Sequence, residues 1–416
     1  MKTYRLEEIV KISSSKRIKM NEYVSSGIPF FRSKEIINLH KNQKIQTELF
    51  ISEERFNEID EKFGSPSPGD ILLTSVGTLG IPYQVKAGDK FYFKDGNLTW
   101  FKNYSENVNQ KYLYYWLTSQ TAKRKFDEIT IGSTQKALTI ISLKGIEIDL
   151  PSLNVQDDVV AVIDSIQTKI ELNQKMNETL EEIAKTLFKS WFIDFDPVRA
   201  KAEGRPTGLS KEISDLFPDS FEDSELGEIP SGWKISNFGN FTQPVRGKVI
   251  TKKTTLPGNI PVVAGGLEPA YFHAYSNTTG PVVTISASGK NAGYVNLFYE
   301  DIWASDCSYI SNEQSDYIYT SYLFLKINQQ KIFDSQHGAA QPHINPDDLM
   351  RLEMAITPSS LTEAFEEMVA SFYKKIAINK LEIGTLKKIR DTLLPRLISG
   401  ELRIPDAEKL VEEVGV

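Results

Sequence analysis

The sequence predicts an α+β protein: two mixed α/β domains in a pseudo-twofold arrangement, separated by a pair of long antiparallel helices that form a coiled coil. Three observations predict it. The chain repeats itself at an offset of 206 residues, and the repeated part carries an apolar seam of coiled-coil period. The part in front of each seam reads as short strands between turns.

The repeat is clearest late in each half. Gly132 and Gln135 fall on Gly338 and Gln341, and Leu143 and Glu147 fall on Leu349 and Glu353. Lys169, Ile170 and Asn173 fall on Lys375, Ile376 and Asn379. Thr179, Leu180, Ile183, Thr186 and Leu187 fall on Thr385, Leu386, Ile389, Thr392 and Leu393. Earlier the match decays, and Ile28-Pro29 resembles Ile260-Pro261 at an offset of 232. Similar backs with dissimilar fronts imply one scaffold that presents two different faces.

The first seam reads Val159, Ile163, Ile166, Ile170, Asn173, Asn177, Leu180, Ala184, Leu187 and Trp191. Its steps alternate between four and three residues, a mean of about 3.5, the coiled-coil period. The second reads Phe365, Val369, Phe372, Ile376, Asn379, Ile383, Leu386, Arg390 and Leu393. Pro197 and Pro395 are expected to close the two helices, giving each about thirty residues and roughly 50 Å. Two such seams in one chain can bury each other, most simply antiparallel. Asn173 and Asn379 hold equivalent seam positions, where a polar pair costs stability and fixes register. Arg390 stands where the first seam has Ala184. It is expected either to snorkel to the edge of the pair or to meet a partner subunit.

The fronts are mixed. Apolar runs at 28–31, 71–74 and 98–101 read as strands, separated by the turn-forming stretches 65–70 and 94–97. A helix follows over 112–128. In the second half, 281–285 and 294–298 read as strands and the region near 319–333 as a helix. Two loops, 74–80 and 286–293, each follow an apolar strand and mix glycine with Ser, Thr, Asn or Lys. Such loops bring backbone amides and short polar side chains within reach of phosphates and base edges. They also suit a plain tight turn. The spacing around Gly289-Lys290 excludes a P-loop.

Charge is unevenly spread. The net charge of -7 conceals 22 basic against 18 acidic residues in 1–150 and 8 against 16 in 151–227. A basic front end is compatible with DNA, whose binding needs a local basic surface rather than a basic total. The lone Cys307 is expected to be a small buried side chain. The start of the chain carries Lys2, Arg5, Glu7 and Glu8 and has no apolar signal core, so a cytoplasmic location is expected. Catalytic motifs are missing. His40, His273, His337 and His343 lack metal-ligand spacing, and no nucleophile elbow or dinucleotide fingerprint is present. The triplet Asn345-Pro346-Asp347 resembles a DNA amino-methyltransferase motif only in its first two positions.

At these residues the sequence resembles a known family. Residues 172–180, continuing through Lys189-Ser190-Trp191-Phe192-Ile193-Asp194-Phe195, resemble the central helical region of type I restriction-modification specificity subunits. The run from Leu386 to Leu402, with Arg390-Asp391-Thr392-Leu393-Leu394-Pro395, resembles their distal helical region. Gly227-Glu228-Ile229-Pro230-Ser231-Gly232-Trp233 resembles the entry to their second target-recognition domain. The resemblance implies a division into target-recognition domain 1 (1–154), a central helical spacer (155–196) and a connector (197–227). Target-recognition domain 2 (228–358), a distal helical spacer (359–401) and a C-terminal tail (402–416) follow. It further implies that each recognition domain binds one part of a split, asymmetric target in double-stranded DNA. The helices would dock two methyltransferase subunits, joined by two restriction/translocase subunits. S-adenosylmethionine, ATP and Mg²⁺ would be bound by those partners, and this chain would hold no cofactor or metal and no catalytic residue.

The expected DNA contacts are Arg32, Lys34, Ser75, Thr78 and Lys136 in the first domain. In the second they are Arg246, Lys248, Ser288, Lys290, Asn291 and His343. Two other readings of the residues stay open: a stand-alone restriction or modification enzyme with a cryptic site, and a coiled-coil scaffold for proteins only.

Overall fold

The computed structural model describes every residue except 42, 44, 46, 133–135, 225–226, 339–340, 413–414 and 416. Gln135 of the repeated motif therefore lies outside the described residues. The chain forms two compact units, one of residues 1–171 with 383–416 and the other of residues 172–382. Two long helices, a central one (Leu153–Phe192) and a distal one (Ser359–Ser399), each contribute to both units.

In the first unit, Lys2–Arg5 pairs antiparallel with Glu147–Leu150. An antiparallel sheet then runs in the order Val10–Ser13, Leu98–Tyr104, Ile71–Thr74, Pro82–Gln84. A second sheet has the order Tyr23–Val24, Phe50–Ile51, Ile28–Phe31, Tyr92–Phe93, its last pair parallel. The second unit repeats this plan. Lys234–Asn237 pairs with Glu353–Ile356. Its antiparallel sheet runs Val245–Arg246, Cys307–Ile310, Val282–Ser286, Val295–Phe298. Its other sheet runs Tyr271–His273, Ile260–Val263, Trp303–Ala304, again with the last pair parallel. The strand beginning at Ile28 matches the one beginning at Ile260, and the strand beginning at Glu147 matches the one beginning at Glu353. The offsets of 232 at the front and 206 at the back, seen in sequence, are thus those of the fold.

Burial explains the central strands. Ile71, Leu72, Leu73 and Thr74 are all buried, as are Val282 to Ser286, because both faces of these strands are covered. The single helix expected over 112–128 is two, Gln110–Thr118 and Gln120–Ile129. Ser119 between them takes an extended conformation, and its hydroxyl accepts from Ala122 N–H as the cap of the second helix. The helix expected near 319–333 is likewise two, Ile318–Ile327 and Gln329–Asp334, meeting at Asn328.

The long helices pair antiparallel within each unit. Val159, Ile163, Ile166 and Ile170 share a core with Ile383, Leu386, Leu393 and Leu397 in the first unit. In the second, Ala184, Phe188 and Trp191 share one with Leu361, Phe365, Val369 and Ile376. Early residues of one helix thus meet late residues of the other. The expected length is corrected: the helices have 40 and 41 residues, roughly 60 Å each at 1.5 Å per residue. Pro395 does not close the distal helix but lies inside it. Leu394, Leu397 and Ile398 around it are buried with Ala407 and Val411, and this packing offsets the lost backbone bond, a penalty of ~3 kcal/mol.

Asn173 and Asn379 are both buried in the seam. Asn379 Nδ2 donates to Oδ1 of Asn177, one turn beyond Asn173, at 2.8 Å. The polar layer is therefore Asn177 with Asn379, while Asn173 Nδ2 has no hydrogen-bond partner. Arg390 stays at the seam's edge, its Nη1 donating to Gln167 Oε1 at 2.9 Å and its Nε and Nη2 to Asp391.

Candidate nucleic-acid interface

The two loops singled out in sequence are built by the same backbone bonds. In the first unit, Ser75 N–H donates to Asn97 O (2.8 Å), Leu138 N–H to Ser75 O (2.9 Å) and Gly80 N–H to Thr74 O (2.8 Å). In the second, Ala287 N–H donates to Asp306 O (3.2 Å), Ile344 N–H to Ala287 O (3.0 Å) and Gly293 N–H to Ser286 O (2.7 Å). Bridges tie Val76 and Ile131 to Ala137, and correspondingly Ser288 and His337 to His343. Each of these loops thus lies against a second loop that follows a pair of helices. Gly80 and Gly293 close them with positive φ, at 72° and 80°. A Cβ at Gly80 would stand 2.7 Å from Phe126, and one at Gly293 2.8 Å from Ile332, itself 206 residues beyond Phe126.

The side chains on this shared frame differ. Lys34, Thr78 and Lys136 are exposed in the first unit. Arg32 is half-buried and forks onto the buried Glu35, Nη2 to Oε1 at 3.0 Å, which closes the start of helix Ser33–His40. Ser75 is corrected: it is buried, its hydroxyl sharing a hydrogen bond of 2.6 Å with Thr99 Oγ1. Directly after strand Ile71–Thr74 it is held between Asn97 and Leu138 by backbone hydrogen bonds, and Thr78 is the exposed hydroxyl of that loop. In the second unit Lys248, Lys290 and His343 are exposed. Asn291 is half-buried and donates to Gly265 O at 3.2 Å.

Arg246 and Ser288 converge on a residue the sequence reading missed, Asp306. Arg246 Nη2 donates to Asp306 Oδ1 at 2.8 Å, and Ser288 Oγ donates to Asp306 Oδ2. Nothing local in sequence marks Asp306; only the strand pairing brings it there. His337, next to this group, is 3.0 Å from Asp348 through Nε2, and with Gln336 and Arg351 it lines a shallow hollow. Although burial opposes it, hydrogen bonds from Asn345 N–H and His337 hold the Asp348 carboxyl below the usual range. Cys307 is fully buried, which pushes its thiol up to about 12. Among the described residues no three His, Cys, Asp or Glu side chains gather as metal ligands. Among the same residues no helix is long and apolar enough to cross a membrane.

The two units share one loop frame and differ in the side chains it carries. The chain belongs to the type I restriction modification DNA specificity domain family, whose model matches residues 1–182 and 230–388. It is 29% identical over 409 residues to the MjaIX type I restriction enzyme specificity subunit of Methanocaldococcus jannaschii, covering 94% of this chain and 91% of that one. It is 24% identical over 486 residues to the HindI specificity subunit of Haemophilus influenzae, covering 96% and 99%. Its fold is similar to that of the type I restriction-modification S subunit of M. genitalium, with a TM-score of 0.56 at 17% identity and 95% of each chain covered.

Proposed function

We propose that this chain is the non-catalytic reader of a split DNA target. Domains 1–154 and 228–358 each bind one half-sequence, and the helical segments 155–196 and 359–401 set the unread gap between them. The observation that carries this reading is the twofold use of one frame with different loop side chains: Thr78 and Lys136 in one unit, Arg246, Ser288 and His343 in the other. Lysines and arginines supply salt-dependent phosphate contacts, and a few polar side chains per domain read bases. The working set is Arg32, Lys34, Thr78, Lys136, Arg246, Lys248, Ser288, Lys290, Asn291 and His343.

The same helices dock two methyltransferase subunits, with restriction/translocase subunits joining them. S-adenosylmethionine, ATP and Mg²⁺ belong to those partners. An exposed apolar stripe supports docking. Leu172, Met176 and Ile183 are 54%, 36% and 42% exposed on one face of the central helix. Ile378, 206 residues beyond Leu172, is 57% exposed on the distal one.

The test is a methylated-motif map of a cell carrying this chain with its partner genes. A two-part motif with an unread gap is expected. The purified chain given DNA, Mg²⁺ and S-adenosylmethionine is expected neither to cleave nor to methylate; either activity from the chain alone would return the stand-alone enzyme reading.

A further inference from the structure

We propose that Asp306 is a positioning residue that aims Arg246 at a guanine in the half-sequence read by the second unit. The inference rests on the DNA-reading function above and deepens it. Strand pairing and the loop bonds put four positions of the two units in correspondence. Asp306 matches Asn97, Ser288 matches Val76, and His343 matches Ala137. Arg246 follows Val245, which pairs with Tyr309 as Ser13 pairs with Trp100, so Arg246 matches Ser14. The first unit closes the same loops with Ser14, Val76, Asn97 and Ala137, none of them charged. The frame therefore does not require the ion pair at Arg246 and Asp306, and its presence in one unit alone points to a ligand.

The geometry suits a base edge. One oxygen of Asp306 takes Arg246 Nη2 and the other takes the Ser288 hydroxyl, so the carboxylate is fixed from both sides. Arg246 Nη1 lies 3.5 Å from the carbonyl oxygen of Ile344, the residue after His343. The Arg246 side chain is 42% exposed, with donors left over. A guanidinium held in one plane by a carboxylate offers two parallel N–H groups, the pattern that matches O6 and N7 of guanine and no other base.

The test uses the full-length chain produced with its modification subunits in a cell carrying a random-sequence plasmid library, and reads base frequencies at every position of the methylated motif. Wild type, Arg246→Lys and Asp306→Asn are compared, with the exposed Lys253→Ala as a control. Arg246→Lys and Asp306→Asn are expected to relax the same single guanine, by about 5- to 100-fold in discrimination. All other positions, including the whole of the other half-sequence, stay read, and Lys253→Ala relaxes none. Three outcomes overturn the proposal: the two variants relax different positions or none, the half-sequence they affect holds no guanine on either strand, or Asp306→Asn weakens every position of it alike. Equal weakening of all positions by Arg246→Lys makes Arg246 a phosphate ligand and overturns the guanine assignment too. If the wild-type chain yields no motif at all, the DNA-reading function itself falls, and this inference with it.

Discussion

Gly80 and Gly293 are the most constrained residues of the reading loops. Each combines positive φ with a neighbour at under 3 Å from the missing Cβ. Alanine at either position should cost about 2–3 kcal/mol through backbone strain and overpacking, measured by denaturant unfolding. The exposed lysines should behave differently. Lys136→Ala or Lys290→Ala should leave stability unchanged, weaken DNA binding evenly across sequences, and reduce the salt slope by about 0.9 per lost phosphate contact. His40 gives a pH dependence. Burial, with Arg390 and Lys123 nearby, holds its imidazole below the ordinary value, while Nδ1 bonds Pro82 O at 2.8 Å. The unfolded chain then binds the proton more readily than the folded one, so stability falls as pH drops through about 6.5. His40→Gln should flatten that part of the melting-temperature profile. At this scale the sequence was least informative. Residue type marked Ser75 as a surface hydroxyl because it opens a loop of small and polar residues, yet its hydroxyl turns inward onto Thr99. Asp306 went unnoticed because its partners lie 18 and 60 residues away.

At the scale of elements the apolar period was legible, because a seam of steps four and three has few alternatives. Its partner-making detail was not. Asn379 bonds Asn177 rather than Asn173, since the lateral stagger of two helices depends on the packing of both. Asn379→Ala should lower stability by about 1 kcal/mol by taking the hydrogen-bond donor from the half-buried Asn177 Oδ1. The double variant Asn177→Leu, Asn379→Leu should recover that loss at the expense of a unique register, visible as broadened NMR resonances along the seam. Helix ends were misread for a related reason. Pro395 is a local stop signal overruled by the apolar neighbours that continue the core, whereas Ser119 is a weak signal enforced by capping.

At the scale of the molecule, duplication organises everything. One offset of 232 fits the front strands and one of 206 fits the back, and most of the length difference falls where the first unit carries the helices Ser33–His40 and Glu53–Phe63 between its strands and the second carries none among the described residues. These offsets were readable only where identities survived. The front of each unit kept its strand pairing while most of its residues diverged. The proposed ruler role rests on the two continuous helices. A four-residue insertion within 178–186 adds about 6 Å and about one turn, so the seam returns to nearly the same face. Mapping the methylated motif of that variant tests the account most directly. Both half-sequences should stay as they are while the gap between them grows by one or two base pairs, at about 3.4 Å each. An unchanged gap, or a change in either half-sequence, would contradict the account.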